Sequence, residues 1–423
     1  SRTDQFAPIG GTARILSTFV WYPADPGATG PESAYAPGAW ASLHRLGATV
    51  FDRVRTGTLD GVPQADGPFP VVVLLPDSGR GYLTKVFNDD WLAQYGFATG
   101  ADFSDGDYDG LIRMARYLAQ NGVTSFAPAS MTLPYHVLEM AFKNAVWLKK
   151  EKPRECANLV GIQMEGPFFS EKKKGAQNGS YLKLPDIEAF QKLYDSSKGL
   201  IRIVDVAAEL SGAETFTRYA ATLCKVAIAH TDCTYDEAET VFDAGASHLT
   251  HLFNAMPGIH HRKPGPIGAG SERKGVTAEL ICDGLHVHPS AIRMAFKLFP
   301  GRVCLISDAL RCCGMPDGKY TLGGQEVFLK NGVARLADGT IAGSATNLYD
   351  CMKKAVEFGI PREQAVMSAT IIPAAVVGCA DKVGSIAAGK NADFVVCDEQ
   401  LNLKSVYLNG VLLKKPSELP FDS

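Results

Sequence analysis

From about residue 102 onward, short apolar runs alternate with longer segments whose apolar positions recur every three or four residues. The runs are VTSFAP (123–128), LVGIQM (159–164), LIRIVDV (200–206), KVAIA (225–229), ASHLT (246–250), TAELI (277–281) and RVCLI (302–306). Between them, DGLIRMARYLAQNG, YHVLEMAFKNAVWLKK, DIEAFQKLYDSS and YDEAETVFDAG have the spacing of amphipathic helices, several ending on Gly or Ser as a C-cap does. Buried strands that alternate with helices predict a parallel α/β sheet. Seven strands are visible, one short of a closed (β/α)8 barrel.

The texture differs on either side of this region. Residues 1–70 are rich in Gly, Pro and Ala, and WYPADPGATGPESAYAPGAW and GVPQADGPFP are turn chemistry. FPVVVLLPDSG then reads as a buried strand entering a Gly-bearing turn, and VVVLLP (71–76) is the candidate for the missing first barrel strand. After Asp308 the pattern becomes alternating and full of NG, GG and DG pairs, which predicts hairpins of a small β-domain, interrupted by helices at 345–358 and 362–379. The expected architecture is α/β: a (β/α)8 TIM-like barrel, its first strand missing or replaced, with a small β-sandwich domain. Three regions follow: an atypical segment over 1–101, the barrel over 102–342, and the final barrel helices with small-domain strands over 343–423.

Composition narrows the class. Of 423 residues, 46% are hydrophobic and 21% charged, enough apolar material for a large core. The 42 basic residues stand against 45 acidic ones, a net charge of −3, so no basic excess recommends nucleic acid. No apolar run approaches the ~18 residues of a membrane span, and no basic-then-apolar leader opens the chain. A cytoplasmic location with no membrane partner is expected. All ten cysteines lie after residue 155 without a CxxC pair, as expected of reduced thiols.

Four polar residues stand just past apolar runs: Glu165, His230, His251 and Asp308. In a parallel barrel the C-terminal ends of the strands open on one face, where active sites assemble. Two imidazoles and a carboxylate suit Zn2+ or a similar divalent ion with room for water, and a nearby aspartate suits proton transfer. A histidine at a strand end is also a common core or capping residue, and spacing alone leaves both readings open.

The neighbouring residues add to this. MEGPFFSEKKKGAQN, AHT, HLTHLFNAMPGIHHRKPGPIGAG, DGLHV, ISDA and DGTIAGSA occur in that order, and over about 102–415 the chain resembles the N-acetylglucosamine-6-phosphate deacetylases of the amidohydrolase superfamily. The resemblance implies that Glu165, His230 and His251 are metal ligands and that Asp308 is the catalytic acid/base. It assigns substrate contacts to Ala176, Gln177, Asn254, Ala255, Arg262, His286, Ile341, Ala342 and Gly343, with Arg262 on the phosphate. Where the family often has His in the KGAQN segment, this chain has Gln177, which can donate a hydrogen bond but cannot carry a positive charge. One divalent metal ion is implied, Zn2+ first and Fe2+, Mn2+ or Co2+ as alternatives. The implied partners are a small amino-sugar phosphate and a second copy of the chain in a homodimer, with Arg262 or His286 reaching across.

The first hundred residues depart from that family. No histidine lies between His44 and His136, so the His-x-His pair that ends the family's first strand is replaced. VVVLLPDSGRGYLTKVFNDDWLAQYGF (71–97) resembles a late segment of cystathionine β-synthase, in which Ser78 would face a pyridine nitrogen. Residues 21–74 resemble the first strands of α/β-hydrolases of the platelet-activating-factor acetylhydrolase type. Neither brings its chemistry, since no G-x-S-x-G elbow and no Lys-bearing cofactor segment is present. The expected function is metal-dependent removal of acetate from N-acetyl-D-glucosamine 6-phosphate. The alternatives are a catalytically impaired barrel chimera without an enzymatic role, and an esterase using the amino-terminal segment.

Overall fold

The computed structural model describes residues 100–413, together with three short upstream strands, Phe19–Val20, Val71–Val73 and Pro76–Asp77. All seven expected barrel strands form. They are Ser125–Phe126, Asn158–Leu159 continuing as Ile162–Met164, Ile201–Val206, Lys225–Ile228, His248–Leu249, Thr277–Ile281 and Val303–Ile306. From Ile162–Met164 to Val303–Ile306 they pair in sequence order as a six-stranded parallel sheet.

A second parallel sheet joins Pro76–Asp77, Ser125–Phe126 and Asn158–Leu159, and a bridge between Ala129 and Gln163 links the two sheets. Pro76–Asp77 therefore takes the place of the first barrel strand. The helix Ile371–Val376 lies against both that strand and the last one, Val303–Ile306. The candidate strand over 71–76 is thus divided. Val71–Val73 pairs antiparallel with Phe394–Cys397, outside the barrel, and only its end enters the barrel. Pro76 has no amide proton to give to a ladder, so it sits where an edge strand begins. Ser78 lies outside the described residues.

The remaining strands make two antiparallel sheets. One runs Phe19–Val20, Val71–Val73, Phe394–Cys397, Leu403–Leu408, Val411–Leu412. The other joins Gly318–Leu322, Gln325–Lys330, Val333–Leu336 and Ile341–Gly343 over a core of its own around Met131, Leu310 and Tyr320. The turns read from sequence are in place: Gly323–Gly324, Asn331–Gly332 and Asn409–Gly410 have positive φ at both residues, as two-residue hairpins require.

Helices follow the periodicity less closely. The stretch 362–379 is two helices, Arg362–Ser368 and Ile371–Val376, because Thr370 leaves the helical region at φ −131°. Its hydroxyl donates back to the Val366 carbonyl at 2.7 Å, a local bond that competes with helix continuation. Gly265–Glu272 has no amphipathic pattern to announce it. Packing makes it: a Cβ on Gly270 would stand 2.6 Å from Leu249 Cδ1, so bare backbone is what lets this helix close on the strand.

Alternate strand residues face opposite ways. Val226, Ile228, Leu280, Val303 and Leu305 belong to the large core shared with the helices. Ala227, Ile281, Cys304 and Ile306 belong to a smaller cluster with Ile372 and Val376. The ten cysteines are free thiols, and burial pushes Cys224, Cys233 and Cys312 up to about 12. Among the described residues no helix is long and apolar enough to cross a membrane.

Candidate metal centre

Each barrel strand ends where its last residues can no longer pair, and at four such ends the backbone turns sharply. His230, His251 and Asp308 adopt left-handed backbone at φ 44°, 32° and 48°, and after Glu165 the same turn falls on Gly166 at φ 81°. Left-handed backbone costs a residue with a side chain about 1–2 kcal/mol, and such strain gathers at functional sites. Here it swings side chains from separate strands toward one point.

Glu165, His230 and His251 are the ones that meet. Their ligand atoms lie within 4.8 Å of one another, and all three residues are buried. His230 Nε2 is 2.9 Å from Glu165 Oε1 and 3.1 Å from His251 Nε2, while His251 Nε2 is 4.0 Å from Glu165 Oε1. His230 Nδ1 lies 2.8 Å from the Lys173 carbonyl, which can only accept, so that nitrogen carries the proton. In the neutral ring Nε2 then presents a lone pair to a carboxylate oxygen and a second imidazole. Three electron-pair donors at such distances fit a shared cation, and two nitrogens with one oxygen suit Zn2+ or a neighbouring first-row ion. The Phe169 ring stacks on His230, with centroids 4.4 Å apart.

The loops around this cluster are interlocked. Glu209 accepts from Thr231 Oγ1 at 2.5 Å and from the Asp232 amide at 2.7 Å, and the Thr231 amide donates to the Ala255 carbonyl at 3.1 Å. These bonds fix the turn that carries His230. Gln177 reaches the cluster directly: Nε2 donates to Glu165 Oε1 at 2.8 Å, and Oε1 accepts the Thr132 amide at 2.8 Å. The amide therefore has one orientation, and one of its two N–H groups is committed to the carboxylate. Gln325, from the four-stranded sheet, donates to the Ala176 carbonyl at 2.7 Å and holds the segment that carries Gln177.

The other expected residues are placed as follows. Asp308 is buried at the end of Val303–Ile306, and its carbonyl accepts the Ser344 amide at 2.8 Å. That stitch, with a parallel bridge between Ala309 and Ser344, brings Ile341, Ala342 and Gly343 beside it. A Cβ on Gly343 would meet Leu310 at 2.8 Å and the Asp308 carbonyl at 3.1 Å, so this approach requires glycine. Buried Arg311 pairs with Asp102 at 3.2 Å, tying the segment after Asp308 to the start of the barrel. Asn254 bonds back to the His251 and Leu252 carbonyls, and Ala255 is left-handed at φ 52°. Arg262 stands on an exposed tight turn against the His261 ring.

His286 forms a dyad with Asp283, Nδ1 to Oδ2 at 2.6 Å, and Asp283 also accepts the Leu285 and His286 amides. Burial works against the charged ring, but the Asp283 hydrogen bond and charge, with Asp308 adding to them, hold the His286 pKa above its ordinary value. Burial would raise the Asp283 carboxyl, yet its bonds from His286 hold it below the usual range. Asp283 was not singled out in the sequence, although its i,i+3 spacing to His286 in DGLHV was there to read. Glu209 and Gln325 had no local signal, since their partners lie far away in the chain.

Known proteins resemble the chain over most of its length. The model of the amidohydrolase family matches residues 88–413. An N-acetylgalactosamine-6-phosphate deacetylase of Escherichia coli O157:H7 is 34% identical over 355 residues, 84% of this chain and 93% of that protein. An N-acetylglucosamine-6-phosphate deacetylase of Bacillus subtilis (strain 168) is 37% identical over 303 residues, 70% of this chain and 76% of that protein. The crystal structure of N-acetyl-D-glucosamine-6-phosphate deacetylase from Mycobacterium smegmatis superposes with a TM-score of 0.73 at 30% identity, covering 84% of this chain and 93% of that one.

Proposed function

The chain belongs to the amidohydrolase family, and from that premise we propose that it hydrolyses the acetamide of N-acetyl-D-glucosamine 6-phosphate, giving acetate and D-glucosamine 6-phosphate. The observation that carries this reading is the convergence of Glu165, His230 and His251 at the ends of separate barrel strands. These three would hold one divalent ion, to which we assign Zn2+, although their donors also suit Fe2+, Mn2+ or Co2+. When bound, such an ion supplies Lewis-acid polarisation of the carbonyl and a ready source of nucleophilic water near neutral pH.

The chain's own residues supply the rest. Asp308 accepts a proton as water adds to the carbonyl carbon and returns it to the nitrogen as the C–N bond breaks. The Gln177 amide, oriented by Thr132, has its second N–H for the developing oxyanion. Arg262 pairs with the phosphate, and His286, held by Asp283, contacts the sugar beside Asp308. Backbone at Ala176, Asn254, Ala255 and Ile341 to Gly343 frames the ring. Because Arg262 stands on an exposed turn, we assign it to the site of a second copy in a homodimer.

Acetate release by the full chain loaded with Zn2+ tests the proposal, with the gluco and galacto epimers supplied side by side. Release from the gluco epimer, lost in Asp308→Asn, is expected. No release from either epimer by folded, metal-loaded protein removes the reading, and preference for the galacto epimer reassigns the substrate.

A further inference from the structure

Inside the barrel lies a layer of polar side chains: Gln163, Asp205, His248, Thr250 and Glu279, all fully buried. A barrel interior is ordinarily filled by branched apolar residues, and Ile203, Ile281 and Ile306 follow that pattern. Burying polar groups is costly unless they pair, and each of these side chains makes at least one hydrogen bond. Gln163 Nε2 donates to both Asp205 oxygens at 3.3 and 3.2 Å, and Thr250 Oγ1 donates to Asp205 Oδ1 at 3.1 Å. On the other side, His248 Nδ1 lies 2.6 Å from Thr277 Oγ1 and Nε2 lies 3.2 Å from Glu279 Oε1.

We propose that Glu279 is the positioning residue that holds His251 in its left-handed turn, and that Thr277 and His248 hold Glu279. The inference rests on the reading of Glu165, His230 and His251 as metal ligands. Glu279 Oε2 accepts the His251 amide at 3.3 Å, and the Glu279 carbonyl accepts the Leu252 amide at 2.8 Å. One residue thus grips two consecutive amides where φ is 32°, backbone that few residues with a side chain adopt. Thr277 Oγ1 has one proton, and His248 Nδ1 at 2.6 Å takes it in preference to the Ser247 carbonyl at 3.4 Å, so His248 Nε2 carries the ring proton. That proton is donated to Glu279 Oε1 at 3.2 Å, which holds the carboxylate in place.

The chain of contacts runs from Thr277 through His248 and Glu279 to the backbone of His251. Its end is the peptide that aims the His251 ring at His230 Nε2, 3.1 Å away. Releasing the His251 amide lets that peptide relax toward extended backbone and swings the ring off its partners. Glu279 itself faces the barrel interior and works through His251 alone.

Zn2+ and Co2+ affinities of the full chain, measured by chelator competition beside the apoprotein melting temperature, test this. Variants are Glu279→Ala, Glu279→Gln and Thr277→Val. A parent that binds neither ion removes the ligand reading itself. With a binding parent, Glu279→Ala should lose about 10–100-fold in affinity, as loss of an outer partner of a ligand does. Glu279→Gln, whose amide oxygen can still accept the His251 amide, should stay within a few-fold of the parent, and Thr277→Val should fall between. Parent-like affinity in Glu279→Ala overturns the proposal, as does a Gln variant as weak as the Ala variant. If Glu279→Ala does not fold, Thr277→Val decides: parent-like affinity in a folded Thr277→Val protein overturns it.

Discussion

Gln177→Met separates the hydrogen bonds of Gln177 from its bulk. Methionine fills nearly the volume of glutamine, so little cavity is left, while both amide groups are removed. Gln177 is buried and Thr132 fully so. Loss of the 2.8 Å bond to the Glu165 carboxylate removes a charge-assisted interaction worth about 1.5–3 kcal/mol. The Thr132 amide, which donates to Gln177 at 2.8 Å, is left buried without that acceptor, at about 1–3 kcal/mol. Together these amount to about 2.5–6 kcal/mol of folding stability, with the lower end applying if water enters from the cleft. Because the lost bond orients a ligand, Zn2+ affinity should fall by about 10–100-fold as well. Denaturant unfolding of the apoprotein gives the first quantity and chelator competition the second. A Met variant as stable as the parent and equally tight for Zn2+ refutes the view that Gln177 braces Glu165.

Three further outcomes are expected. Asp308→Asn should lower kcat by about 10²–10⁴-fold with Zn2+ affinity unchanged, as measured by steady-state kinetics and metal titration. Arg262→Ala should raise KM about 10–100-fold for the phosphorylated sugar, the equivalent of a charge-assisted bond, and leave turnover of unphosphorylated N-acetylglucosamine unaltered. Asp283→Asn should cost about 1.5–3 kcal/mol at pH 6 and distinctly less at pH 9. The raised His286 pKa stabilises the fold fully below about 6.5, and that gain is lost as pH rises through the folded value, so urea midpoints at the two pH values decide.

The barrel was legible because its strands are uninterrupted apolar runs, and VCLI or TAELI bounded by polar residues leaves few alternatives. Strand ends then pointed to Glu165, His230 and His251, since topology alone puts such ends on one face. Hairpins were legible because Asn-Gly and Gly-Gly pairs demand one turn geometry. The helix Gly265–Glu272 was not, since it depends on close approach to Leu249 and not on periodicity. Nor was the division of 71–77 between two sheets, because five consecutive Val and Leu residues after a proline read as one strand. Glu209, Gln325 and Glu279 support the site through bonds to residues 22 to 149 positions away, which no local pattern encodes.

The left-handed turns at His230, His251 and Asp308 restrict which residues can replace them at low cost. Apart from glycine, that backbone region favours Asn, Asp and His, and these are also side chains that bind cations or hydrogen-bond. Exchanges within this small alphabet change donor hardness or proton affinity while leaving the turn in place, so the centre can be retuned for another ion one position at a time. Long or β-branched replacements meet a backbone penalty before any chemistry is tried. At Glu165 the turn has passed to Gly166, and there the ligand position is open to the longer carboxylate.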